Sequence, residues 1–154
     1  MFATLLSIHS FMRWLVLASL LYSIYRAYNG YIKKSTFTKA DNSIRHWTAT
    51  ISHIQLTIGL IVYMYSPVIK YFRLNFSEAV KNIDTLFFGL IHITLMITSV
   101  VLITIGSALA KRKAVDNEKF KTMLVYFGTA LLIIFIAIPW PFSPLAQRPY
   151  IRPF

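Results

Sequence analysis

The chain has 154 residues, of which 56% are hydrophobic and only 14% charged, against about 45–50% apolar and about 25% charged in soluble domains; a soluble chain of this make-up could not cover its own surface. It has no cysteine, which excludes disulfides, thiolate metal sites and iron–sulfur clusters. Its net charge of +11 would suit nucleic acid if the basic residues formed a patch, but they gather at the ends of apolar segments, the pattern that writes membrane topology, so a nucleic-acid partner is rejected.

The first apolar run covers residues 2–27. It lacks a basic start and a small-residue cleavage site and is too long for a leader's apolar core, so it is expected to be a span and not a cleaved signal. The second covers residues 44–65 and stops at Pro67; Asp41, Asn42 or Ser43 is placed to cap its start. The stretch from Val68 to Ile83 mixes Tyr71, Phe72, Leu74, Phe76 and Val80 with charges and reads as a short amphipathic segment lying at an interface. The third run covers 85–110, with Asp84 as its expected cap, and the fourth covers 123–138, stopped by Pro139-Trp140-Pro141. Each run is near the ~20 residues that cross a hydrocarbon core, where only helices or closed barrels satisfy the backbone. The fold class is therefore all-α: one domain, residues 1–154, forming an integral membrane four-helix bundle whose short connections make it up-down-up-down.

Charge sets the expected orientation. Arg26, Lys33, Lys34, Lys39 and Arg45 flank the first loop, and Lys111, Arg112, Lys113, Lys119 and Lys121 the third. The opposite side holds Lys70, Arg73, Lys81, Arg148 and Arg152. The richer side is expected in the cytoplasm, with both termini outside, and Trp140 and Tyr150 are expected interface anchors. Small residues such as Gly106, Ser107 and Ala110 allow close helix approach.

Ionisable residues within spans are costly and mark functional sites. All four histidines lie at span positions: His9 in the first, His46 and His53 in the second, His92 in the third. With about 100° of rotation per residue, His9, Arg13, Leu20 and Ser23 form one stripe. His46, Thr50, His53, Thr57 and Met64 form another, and Thr85, His92, Met96, Ser99 and Gly106 a third. These polar stripes are expected to face inward. At a rise of about 1.5 Å per residue, His9 lies ~9 Å and His92 ~7.5 Å outward from the middle of their helices. They share a depth, on spans expected to be diagonal, so the two imidazoles are candidates to ligate a haem iron from both sides. His53, paired with His9 or His92 across a depth offset of ~9 Å, is the rival. His46 and His53 lie ~10.5 Å apart along the axis and cannot share an iron. Arg13, one turn from His9, needs an anionic partner, and no span holds an acid; a haem propionate would supply one. Arg45, beside His46, could do the same at the cytoplasmic edge.

Two other classes compete. The histidines could bind a metal ion such as Zn²⁺ or Cu, or relay protons, although no carboxylate lies in a span. They could instead only join helices in a non-catalytic assembly subunit. Arg13 could snorkel, and Thr48, Thr50 and Thr57 can bond their own backbone. No Ser/His/acid set, glycine-rich phosphate loop or carboxylate pair points to hydrolysis.

The strings His9-Ser10-Phe11-Met12-Arg13-Trp14, Arg45-His46-Trp47-Thr48-Ala49-Thr50, His53-Ile54-Gln55-Leu56, Ile103-Thr104-Ile105-Gly106-Ser107 and Ile138-Pro139-Trp140-Pro141-Phe142-Ser143-Pro144-Leu145 resemble, over nearly the whole chain, a family of small bacterial membrane proteins labelled cytochrome b-like. The resemblance implies haem b held by His9, His53 and His92 as ligand candidates, with Arg13 and His46 behind them. With the charge bias of the loops it gives the expectation of a bacterial inner-membrane protein with both termini on the periplasmic side, and the expected role is electron exchange with a quinone or a respiratory-chain subunit. An electron carrier or oxidoreductase subunit is expected before a stand-alone enzyme, and homo-oligomerisation stays open. Larger b-type cytochromes often carry two histidines about four turns apart on one helix, whereas His46 and His53 are only about two turns apart.

Overall fold

Apolar runs separated by short polar stretches fold into six helices, and no strand occurs among the described residues, 2–150, of this computed structural model. Arg152 lies outside the described residues. The helices are α1 (Phe2–Ile32), α2 (Lys39–Tyr65), α3 (Pro67–Leu74), α4 (Phe76–Ala79), α5 (Ile83–Arg112) and α6 (Asp116–Ala137). α1, α5 and α6 are long and apolar enough to cross a membrane. α2 passes that test only together with α3, from which it is bent by 59°, because Pro67 opens a new helix at its first position, where no N–H is needed.

Several ends differ from the sequence expectation. α2 starts at Lys39, and its cap is Thr38, whose hydroxyl accepts from the Asp41 N–H while the Asp41 carboxylate accepts from the Thr38 N–H. The Thr-x-x-Asp spacing builds a capping box, so Asp41 serves at the third position and not as the cap. α5 is capped by Asn82, which accepts from the N–H groups of Asp84 and Thr85. Asp84 instead pairs with Arg148 at 2.7 Å. Trp140 is buried, its indole N–H donating to the Phe135 carbonyl at 2.8 Å, and is no surface anchor, whereas Tyr150 is exposed. The segment after α2 turns Ile69 and Phe72 inward and leaves Tyr71, Leu74 and Phe76 exposed, the amphipathic character its sequence suggested.

α1 packs against α2 and α6, and α5 packs against the same two helices, which places α1 and α5 on a diagonal. Gly106 makes the α5–α6 approach close: a Cβ there would collide with the Tyr126 side chain. The core of Leu20, Ala27, Ile103, Phe120, Met123 and Phe127 fills the middle and the end carrying the two basic loops. At that end Arg26 donates to Asp41 Oδ1 from Nε (3.0 Å) and Nη2 (2.7 Å). Buried Arg45 donates to Asn42 Oδ1 and to the Ser107 carbonyl at 2.9 Å. Ser23 and Thr48 share a buried hydrogen bond of 2.6 Å. The opposite half is less full, and the candidate site lies there.

Candidate functional site

A cavity of about 360 Å³ opens among α1, α2, α3, α5 and the start of the C-terminal segment, walled by side chains such as Val16, Leu56, Met96 and Val100, with His9, His92, Arg13, Gln55 and Arg148 among its polar members. The stripes expected to face inward on α1 and α5 do so: Leu20, Ser23, Ser99 and Gly106 are buried, and His9, Arg13 and His92 are half-buried on the cavity wall. The His9 and His92 rings stand 6.4 Å apart between centroids, at 75° to one another.

His92 is positioned by two local features. The five residues before it, Phe87–Ile91, form a π-helical turn, a rare geometry that tends to occur at functional sites. The Gly89 carbonyl in that turn accepts from the Tyr63 hydroxyl at 2.8 Å. The second feature is the end of α6. The residue four beyond Ala137 is Pro141, which has no N–H to offer, so the Ala137 carbonyl lacks a helical donor. It lies 2.8 Å from His92 Nδ1. A carbonyl can only accept, so Nδ1 carries a proton, and in the neutral ring Nε2 keeps its lone pair. Metal-ligating histidines are held in this way.

On the other side, the Gln55 amide nitrogen donates to the His9 backbone carbonyl at 2.9 Å. Gly59, one turn along α2, lies so close to the His9 ring that a Cβ there would stand 2.9 Å from Cε1 and 3.4 Å from Nδ1. His9 Nδ1 and Gln55 Oε1 are both buried without a hydrogen-bond partner. Arg13 and the Trp14 indole both donate to the Tyr150 carbonyl, and Arg148 lies over the Phe88 ring at 4.7 Å while paired with Asp84. The C-terminal segment thus brings a second guanidinium to the mouth of the cavity.

The inward stripe expected on α2 is rotated. Asp41, Arg45, Thr48 and Ser52 are buried, whereas His46, His53 and Thr57 are exposed. Apolar bulk and paired polar groups fill the interior, and they outcompete an unpaired imidazole for those places. His53 is absent from the cavity wall and shares a 2.8 Å hydrogen bond with Thr104 on α5, as a helix-joining residue would; it is not brought to His9 or His92. His46 sits against Trp47 near the basic loops. Arg45, expected to meet an external anion, is already held by Asn42 and Ser107. Thr50 and Thr57 bond their own backbone as expected, but Thr48 bonds Ser23.

Sequence reasoning missed Gln55, Gly59 and Arg148. Gln55, a lone amide within an apolar run, carried a signal; the nearness of Arg148 depends on how the last segment folds back. No group of three or more His, Cys, Asp or Glu side chains able to hold a metal ion occurs among the described residues, whereas a protein zinc site uses three or four such ligands. No protein-family model, curated protein or solved structure matches the chain.

Proposed function

We propose that this chain is an integral membrane b-type cytochrome, a four-helix up-down-up-down bundle that holds haem b between His9 and His92 and passes electrons within the bilayer. Three passing helices, with Leu15, Leu21, Ile97, Val125, Leu132 and Ile136 exposed on them, support the membrane part, since water would not tolerate so much apolar surface. The charge asymmetry between the ends supports basic loops in the cytoplasm and termini on the outer side of a bacterial inner membrane.

The observation that carries the haem reading is the close pair of imidazoles on the cavity wall, one of them held at Nδ1 by a backbone carbonyl. The two ring centroids lie 6.4 Å apart, near enough for one bound group to be reached by both. The orphaned His9 Nδ1 and the close seat at Gly59 fit a side chain arranged for a ligand. The cavity volume falls at the lower end of the about 300–1,000 Å³ typical of ligand pockets. His9 and His92 would hold the iron. Val16, Leu56, Met96 and Val100 would keep water away, and Arg13 and Arg148 would offer charge to carboxylate groups. When bound, the haem supplies one-electron chemistry. A membrane quinone or a respiratory-chain subunit is the proposed electron partner.

The test is spectroscopic. Protein purified in detergent and supplied with haem is expected to show a reduced-minus-oxidised difference in the Soret and α bands. His92→Ala is expected to weaken haem binding by more than about 100-fold, since the loss of a mere hydrogen-bond partner of a metal ligand already costs about 10–100-fold. A colourless wild-type protein that does not bind haem sinks the cytochrome reading and leaves the helical fold standing.

A further inference from the structure

We infer that Gln55 is the positioning residue of His9: its side-chain oxygen accepts a hydrogen bond from His9 Nδ1–H, so that His9, like His92, offers an unprotonated Nε2 to the cavity. The orientation of the amide is settled by chemistry. The His9 backbone carbonyl, 2.9 Å away, can only accept, so the nitrogen of the amide faces it and the oxygen is left over. That oxygen is buried with no donor, and His9 Nδ1 is buried with no partner. The ring edge bearing Cε1 and Nδ1 lies against Gly59, one turn from Gln55 on the same face of α2. The two unsatisfied atoms are therefore a complementary donor and acceptor on residues already joined through the His9 carbonyl, and a turn of the imidazole that brought them together would satisfy both. Once joined, Gln55 grips His9 at both its backbone carbonyl and its ring. A buried unpaired donor and acceptor each carry a desolvation penalty that pairing removes. The arrangement mirrors the Ala137 carbonyl on His92, with a side chain where the other ring has a backbone group. In metal sites such partners fix the tautomer and ring orientation and raise ligand basicity.

This role rests on the proposed use of Nε2 as a ligand, but its test reads the ring directly. In ¹⁵N-histidine-labelled full-length protein in detergent, without added haem, the His9 resonances of the wild type are expected to report the Nδ1–H tautomer. Gln55→Leu is expected to shift His9 to a mixture or to Nε2–H while leaving His92 unchanged, and Gln55→Glu, which keeps an acceptor, to hold the wild-type tautomer. With ferric haem added, Gln55→Leu is expected to bind about 10-fold more weakly, and Gln55→Glu to lower the reduction potential by favouring the ferric state. A wild-type His9 in the Nε2–H form, or a tautomer unmoved by Gln55→Leu, overturns the inference. A tautomer that moves in a protein that never binds haem keeps the positioning role and removes only the cytochrome reading.

Discussion

The region around Asp41 and Arg45 and the region around His9 and Gln55 treat their buried polar groups in opposite ways. At the basic-loop end, Asp41, only 2% exposed, accepts from Arg26 and from both the backbone N–H and the hydroxyl of Thr38, and Arg45 is met by Asn42 and Ser107. At the other end, His9 Nδ1 and Gln55 Oε1 are buried and unmet beside a cavity. Satisfied networks rigidify a fold, whereas unsatisfied buried groups are costly and call for an explanation. The first region does structural work; the second leaves a complementary donor and acceptor still to be joined beside the cavity.

Substitutions can break or sharpen this contrast. The largest effect is expected at the structural end. Asp41→Ala removes a capping box and leaves Arg26 without its carboxylate. Because Arg26 is 40% exposed, the loss is tempered by solvent, and thermal unfolding in detergent should show a cost of about 2 kcal/mol with haem binding unchanged. If Asp41→Ala instead abolished haem binding in protein that still folds, the separation of the two ends would be lost. Gly59→Ala should act the other way: its Cβ would stand 2.9 Å from His9 Cε1 and push the ring from its seat. The expected result is about 10-fold weaker haem binding, equal to ~1.4 kcal/mol, with a smaller change in unfolding temperature. Unchanged affinity would mean that the α2 contact does not position His9. The smallest effect belongs to Asp84→Asn, whose partner Arg148 is itself partly exposed. It should cost less than about 1 kcal/mol in unfolding measurements and leave haem affinity equal or slightly higher, since Arg148 is freed toward the cavity. A marked fall in affinity would place Asp84 in the site itself.

The legibility of the sequence follows the same division. Depth along a helix depends only on residue number and a fixed rise, and so His9 and His92 could be matched before any packing was known. Rotation about the helix axis was legible on α1 and α5, where the polar stripe is the narrower and the apolar remainder wide. It misled on α2, where polar residues occur all round: Asp41, Arg45, Thr48 and Ser52 compete with His46, His53 and Thr57 for the interior. The first set finds Arg26, Asn42, Ser107 and Ser23 as partners, and a paired polar group is the cheaper one to bury. Helix starts were misplaced because an apolar run marks where a segment is hydrophobic, while Thr38 and Asn82 mark where its backbone begins to turn.

The amino-acid sequence by itself determined an all-helical chain of long apolar segments, the separation of basic loops from the opposite end, and the common depth of His9 and His92, because hydropathy, charge and helical rise are local quantities. Tertiary structure alone decided that Ala137 fixes the His92 tautomer, that Gln55 and Gly59 press on His9, that Arg148 reaches the cavity, and that His46 and His53 face outward. Those are contacts between segments 45 or more residues apart or choices among competing faces, and they follow only when all the helices pack at once.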